Sequence, residues 1–145
     1  MAVVKWGQAR KIDLLAQMPL FSACTRRELG QVASRTVPAE LPSGSILTRQ
    51  GAAGGLAYVI AAGHAEVTRN GRRLATLGPG AVVGELSLID GEPRSATVRA
   101  RTDLDVLEID RRDLNTLLRK VPSVRRKLLE SLATRLRATD TLSSL

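Results

Sequence analysis

The chain has 145 residues, of which 43% are hydrophobic, 25% are charged and 2% are aromatic. This length fits one ordinary domain with an aliphatic core, and the composition excludes a mainly disordered chain. The formal net charge of +8 indicates an anionic partner. No apolar run approaches the ~18 residues of a membrane span, and the single Cys24 forms no disulfide within the chain. We therefore expect a cytoplasmic protein.

The N-terminal part of the chain has two helical patterns. The apolar spacing predicts a helix over 8–17, and Pro19 ends it. Thr25 and Glu28 match a capping box, which predicts a second helix over about 26–34.

Short alternating runs with Gly and Pro follow from Thr36 onward and are typical of strands. The predicted strands cover 45–48, 56–61, 65–69, 73–77, 95–100 and 104–109. Asn70-Gly71 predicts a hairpin with a type I′ turn, because that turn needs positive φ at both central residues. Short strands with regular turn signals imply a barrel or roll.

Two helices are predicted at the C-terminal end. Asp110 is the expected N-cap of the first, and Pro122 starts the second. The second helix has an apolar stripe formed by Leu128, Leu129, Leu132 and Leu136. This stripe packs on the strands, or Leu129, Leu132, Leu136 and Thr139 form a short seam for pairing with another copy, or the helix does both.

The C-terminal quarter is basic. Residues 110–145 contain nine Lys and Arg against four Asp and Glu, a net charge of +5. We interpret this as a solvated helical face in preference to a nucleic-acid surface, since no helix-turn-helix, zinc finger or aromatic-basic strand accompanies the charge.

Residues 78–100 hold the residue types of an anion site. Gly84 permits an unusual dihedral or a close approach and begins a short helical turn, whose start offers backbone N–H groups to an anion. Arg94 adds a charged fork of donors suited to phosphate oxygens. Glu85 is placed to accept a hydrogen bond from a sugar hydroxyl. The segment therefore predicts a site for a phosphorylated sugar, unless Arg94 and Glu85 form a salt bridge across a structural turn.

Residues 84–89 (Gly-Glu-Leu-Ser-Leu-Ile) and 93–98 (Pro-Arg-Ser-Ala-Thr-Val) resemble the phosphate-binding cassette of the cyclic-nucleotide-binding domain family. The resemblance extends to 14–21 and to the turn at 77–80. It implies an α+β fold with an eight-stranded antiparallel β-roll, a jelly-roll-like double-stranded β-helix, and helices packed on it. The implied single domain over 1–145 has N-terminal helices at 1–34, the roll at 35–109 with the cassette at 83–98, and lid or dimer helices at 110–142.

The resemblance also implies roles for cassette residues. Glu85 would bind the ribose 2′-hydroxyl, and Arg94 would pair with the cyclic phosphate. The backbone N–H groups of Gly84 and Ala96 and the hydroxyl of Ser95 would surround the phosphate and ribose.

Further expected site residues lie in and beyond the cassette. Leu86 and Ser87 belong to it, and Val83 stands where the family often has a bulky aromatic residue or Ile. Thr139 and Asp140 fall where related domains contact the exocyclic amine of adenine, which favours cAMP over cGMP. The alternative is that Thr139 and Asp140 only cap the end of a helix.

The resemblance implies a cyclic-nucleotide sensor, with no metal and no catalytic activity, in which the last helix covers the ligand and moves. Its expected partners are the nucleotide, a second copy through the C-terminal helix and an unknown downstream protein, with DNA and membranes not expected. The alternative is a basic nucleic-acid- or partner-binding protein on a degenerate form of the fold. A metal enzyme on a β-barrel typically needs two or three histidines, whereas this chain has His64 alone, which we expect at the surface.

Overall fold

The computed structural model describes residues 2–3 and 6–139. These residues form helices α1 (Gln8–Ala16), α2 (Arg26–Ala33), α3 (Glu85–Asp90), α4 (Arg111–Lys120) and α5 (Pro122–Thr139), with a 3-10 turn over Pro19–Phe21. Their strands are β1 (Ala2–Val3), β2 (Val37–Leu41), β3 (Ile46–Thr48), β4 (Leu56–Ala62), β5 (Ala65–Arg69), β6 (Arg72–Leu77), β7 (Val82–Val83), β8 (Thr97–Ala100) and β9 (Leu104–Asp110). The predicted α+β order of helices, strands and helices is confirmed.

The predicted helix caps and the predicted turn form the expected local structures. The capping box is present, since the Thr25 hydroxyl accepts the Glu28 N–H at 3.1 Å and the Glu28 carboxylate accepts the Thr25 N–H at 2.8 Å. Asn70 and Gly71 have φ values of 53° and 76°, as a type I′ turn requires. The Asp110 side chain caps α4.

Two antiparallel sheets form the roll. Among the described residues, one sheet has the strand order β1-β2-β9-β4-β7 and the other the order β3-β8-β5-β6. Strands β2 to β9 are the eight strands of the predicted roll, and β1 pairs with the edge of β2.

The core has two apolar layers, and β4 contributes to both. Its alternation sends Ala57 and Val59 to a cluster with the helices, while Tyr58 and Ile60 enter a cluster inside the roll. Strand β7 pairs with β4 at Tyr58 and Val59, and its Val83 belongs to the cluster inside the roll. The cassette therefore begins against the roll interior.

Helix α5 is anchored in the core through its first half. Val124 and Leu128 are buried, whereas Leu129 and Leu136 are 60% and 67% exposed. Only one of the four leucines of the predicted stripe, Leu128, is buried. The stripe therefore does not pack on the strands as a unit. In the described part of the chain, no helix has both the length and the apolar character that crossing a bilayer requires.

Candidate functional site

Gly84 sets the geometry of the cassette. It is the N-cap of α3 with φ 83° and ψ 7°, a left-handed conformation that favours glycine. A Cβ at this position would lie 2.4 Å from Nη1 of Arg94 and 3.2 Å from the carbonyl oxygen of Leu56. Glycine is therefore required here both by the dihedral and by the space that Arg94 occupies.

Arg94 is buried and held by backbone oxygens. Its Nη1 donates to the carbonyl of Gly84 at 2.7 Å, and its Nη2 donates to the carbonyl of Leu56 at 2.5 Å. These two bonds join the cassette to the start of β4, so the guanidinium has a fixed position between them.

The loop before β4 covers the guanidinium from another side. A Cβ on Gly54 would lie 2.6 Å from Cζ of Arg94, whereas a Cβ on Gly55 would meet nothing within 4 Å. The Arg94 backbone is bonded to the same loop, since its N–H donates to Ala52 and its carbonyl accepts from Gly51, both at 2.9 Å. The loop thus fixes Arg94 through main-chain bonds and leaves room for its side chain by means of one glycine.

Glu85 points from the first turn of α3 towards α5. Its Oε1 accepts a hydrogen bond of 2.6 Å from Nη2 of Arg135, and the Glu85 side chain is 3% exposed against 51% for Arg135. This ion pair brings a buried carboxylate of the cassette into contact with the C-terminal helix.

Arg94 and Glu85 are not partners of each other. Among the described residues, the salt bridges of Glu85 and the hydrogen bonds of Arg94 join them to Arg135 and to backbone carbonyls, and none joins the two side chains. The interpretation of these residues as a salt bridge across a structural turn is therefore wrong.

The electrostatics of the site reflect its burial. Desolvation lowers the pKa of the Arg94 guanidinium, an effect partly offset by the neighbouring Tyr58 and Glu85. Burial raises the pKa of the Tyr58 phenol, and the charge of Glu108 raises it further. Arginine stays protonated in proteins, so Arg94 supplies a permanent positive charge in a partly dehydrated setting.

The other predicted cassette residues lie close to Glu85 or Arg94 in the sequence and differ in burial. Val83 and Ser87 are buried, and Leu86 is 42% exposed on α3. Ser95 is exposed and its carbonyl accepts from Arg69 Nε at 2.9 Å, whereas Ala96 is buried.

The expected base-contacting residues fall at the end of α5. Thr139 is the last residue of that helix. Its side chain and the whole of Asp140 lie outside the described residues. Their predicted contact with adenine therefore stays a prediction.

Sequence reasoning missed three partners of the site. Arg135 lies 50 residues from Glu85, and no local pattern links them. Leu56 contributes a backbone carbonyl, which any residue would supply. Gly54 lies in the loop before β4, and the Gly54-Gly55 pair was a sequence signal for close backbone approach.

Comparison with known proteins identifies the family. The family model described as "Cyclic nucleotide-binding domain" matches residues 38–121, which is more than half of the chain. The chain is 35% identical over 127 residues to the cyclic AMP receptor protein of Thermus thermophilus, covering 84% of this chain and 59% of that protein. It is 37% identical over 107 residues to the cAMP-dependent protein kinase regulatory subunit of Schizosaccharomyces pombe, covering 73% of this chain and 26% of that protein.

A solved structure has the same fold. The catabolite activator protein of Thermus thermophilus superposes with a TM-score of 0.79 at 36% identity, over 85% of this chain and 60% of that chain. The chain thus spans less than two thirds of the length of these relatives. On the family match, the chain belongs to the cyclic nucleotide-binding domain family.

Proposed function

We propose that this member of the cyclic nucleotide-binding domain family binds cAMP at its cassette and acts as a regulatory domain without catalytic activity. The observation that carries the proposal is the burial of Arg94 and Glu85, which are 7% and 2% exposed, without a bond between them. Burying a charge costs free energy, and each of the two side chains offsets that cost with other partners, Arg94 with two backbone carbonyls and Glu85 with Arg135. Separately held, the two side chains offer a cation and an acceptor to one ligand.

Arg94 is the proposed phosphate-binding residue. A guanidinium has five N–H donors, and the carbonyls of Gly84 and Leu56 take two of them. The remaining donors suit the oxygens of a cyclic phosphate, because charge-assisted bonds to phosphate are among the strongest that arginine makes. We propose that the N–H groups of Gly84 and Ala96 and the Ser95 hydroxyl complete this set.

Glu85 is the proposed ribose-binding residue. A carboxylate has two oxygens with about four acceptor positions, and Arg135 uses one of them on Oε1. A ribose 2′-hydroxyl would donate to the same carboxylate. The ligand and α5 would then meet at one side chain.

This meeting point supports coupling between the ligand and α5. The second half of α5 lacks the deep burial of Val124 and Leu128, so the Arg135–Glu85 ion pair is an important restraint on it. A ligand that binds Glu85 changes the strength of that restraint and therefore the population of α5 positions.

The choice of cAMP has two supports. Two relatives carry cAMP in their names. In addition, the Asp140 carboxylate would accept a hydrogen bond from the exocyclic amine of adenine, whereas guanine has a carbonyl at that position. We also propose that residues 1–145 form a single cytoplasmic domain that needs no metal for this binding.

Calorimetric titration with cAMP and cGMP tests the proposal. We expect one nucleotide per chain, with tighter binding of cAMP. Arg94→Ala removes a charged phosphate contact, which typically costs about 2–5 kcal/mol, or from about thirtyfold to several thousandfold in affinity. Arg72→Ala, which removes an exposed arginine on β6, is the control and should bind normally. If neither nucleotide binds at about millimolar concentration, the proposal is wrong.

The role of Glu85 is tested with a modified ligand. The 2′-deoxy form of cAMP lacks the hydroxyl, so we expect it to bind the original chain about tenfold more weakly than cAMP. Glu85→Gln should lower the affinity for cAMP but leave 2′-deoxy-cAMP nearly unaffected. Equal losses for the two ligands would show that Glu85 does not bind this hydroxyl.

A further inference from the structure

The helices α4 and α5 carry most of the net charge of the chain. Residues 111–137 contain nine Lys and Arg against two Asp and Glu, a net charge of +7 compared with +8 for the whole chain. The roll and the N-terminal helices are therefore close to neutral, and the excess positive charge is confined to one helical hairpin.

A groove of about 760 Å³ lies between these two helices. Arg112, Thr116 and Arg119 line it from α4, where their spacing of four and three residues places them on one face. Arg125 lines it from α5 and donates to the carbonyl of Leu118 at 2.9 Å. The groove thus has three guanidinium groups along its walls.

Helical spacing relates Arg125 to an apolar stripe on α5. Arg125, Leu129, Leu132 and Leu136 are spaced four, three and four residues apart, so they share one side of the helix. Leu129 is 60% exposed and Leu132 is half-buried. Arg125 belongs both to the groove and to this stripe, which makes the two features one surface.

We propose that this surface, the α4–α5 face formed by Arg112, Arg119, Arg125, Leu129 and Leu132, docks an amphipathic acidic helix of a protein partner. The leucines would be covered by the apolar side of such a helix, since exposed apolar surface rimmed by polar residues marks interaction sites. The guanidinium groups would pair with its carboxylates, for which arginine has a matching fork of donors.

The positive charge of α5 favours an acidic partner over a second copy of the chain. Within 122–137, α5 has five Lys and Arg and a single carboxylate, Glu130. Two such helices in contact would place like charges side by side, which opposes association. An acidic helix meets the same residues with the opposite sign.

The apolar stripe favours an amphipathic helix over a nucleic acid as the partner. A phosphate backbone would pair with the arginines, but it would leave Leu129 exposed. A surface that combines arginines with leucines at helical spacing fits a helix that has both acidic and apolar faces.

Binding of a labelled peptide to the full chain tests this docking, and it is separate from nucleotide binding. The probe is an amphipathic helix of about eighteen residues with Leu on one face and Glu on its flanks; its partner peptide has Lys in place of Glu. We expect the acidic peptide to bind, the basic peptide to bind at least about tenfold more weakly, and added salt to weaken the acidic complex.

Matched variants locate the site. Leu129→Glu and Arg119→Glu should each weaken the acidic peptide about tenfold or more. Leu74→Glu and Arg72→Glu make the same changes at exposed positions of β6 and should have little effect. Nucleotide affinity should be the same in all four variants, because none of these residues contacts Arg94 or Glu85.

Three results would overturn the proposal. One is the absence of peptide binding at about millimolar concentration. Another is tighter binding of a duplex DNA of about 20 base pairs than of the acidic peptide at equal salt, which would assign the face to nucleic acid. The last is a dimer in sedimentation that Leu129→Glu dissociates, which would assign the face to a second copy.

Discussion

The guanidinium of Arg135 on α5 donates a hydrogen bond of 2.6 Å to the carboxylate of Glu85 in the cassette, 50 residues earlier in the chain. Glu85 is almost fully buried, whereas Arg135 is half exposed. The pair therefore joins the second half of α5, which has little core contact of its own, to the residue that we propose binds the ribose.

Arg135→Ala should weaken this attachment. The variant leaves the buried Glu85 carboxylate without this cation, so we expect the free energy of unfolding to fall by about 1 kcal/mol, a modest value because Arg135 is half exposed. Without nucleotide, amide hydrogen exchange of α5 beyond Leu128 should become faster. Urea denaturation and exchange monitored by mass spectrometry measure the two effects.

The control for this prediction is Arg126→Ala, which removes an exposed arginine from the same helix. It should leave both the exchange rates and the urea midpoint nearly unchanged. Faster exchange of equal size in both variants would mean that α5 responds to general charge loss and not to its contact with Glu85.

Gly54→Ala should displace the Arg94 guanidinium. The added Cβ would lie 2.6 Å from Cζ and Nε of Arg94, so the side chain must move and lose its bonds to Gly84 and Leu56. We expect the affinity for cAMP to fall at least about tenfold, as measured by calorimetry. Gly55→Ala adds the same methyl group into open space and should bind normally. Equal affinities in the two variants would contradict the fixed position of Arg94.

The cassette was predictable because its residues are close in sequence. Gly84, Glu85 and Arg94 lie within eleven positions. The residue type of each indicates its role, a glycine for an unusual dihedral, a carboxylate as acceptor and a guanidinium as phosphate donor. The hairpin at Asn70-Gly71 was predictable for the same local reason. The Arg135–Glu85 pair was not, because it depends on how α5 packs against the roll.

Besides the two-residue strand β1, two strands of the roll escaped prediction, each for a physical reason. Strand β2 contains Pro38, and proline in a run usually argues against a strand because it cannot donate to the ladder. Strand β7 has two residues, Val82 and Val83, too few to show alternation. Both strands form through pairing with β9 and β4, so their existence depends on the assembled sheet.

Gly84→Ala should damage both the fold and the site. The left-handed φ of 83° strains an alanine, and its Cβ would overlap Arg94. We expect a loss of about 1–3 kcal/mol in the free energy of unfolding together with a loss of nucleotide binding. Gly44→Ala has a similar φ of 90° but open space around its Cβ, so it should lose stability by about 1–2 kcal/mol and still bind. Urea denaturation and calorimetry separate the two effects.

Glu108→Gln should stabilise the protein near neutral pH. Glu108 lies opposite Tyr58 across β4 and β9, and burial raises the pKa of its carboxyl above the ordinary value of about 4.3. Between the unfolded and native pKa values the native state binds more protons, so the free energy of unfolding of the original chain falls as the pH rises through that interval. Glutamine removes this loss, so the variant should be more stable at about pH 7, and the difference should disappear near pH 3. Urea denaturation at the two pH values measures it, with the exposed Glu40→Gln as control. A stability gain of the same size at both pH values would show that ionisation of Glu108 is not its cause.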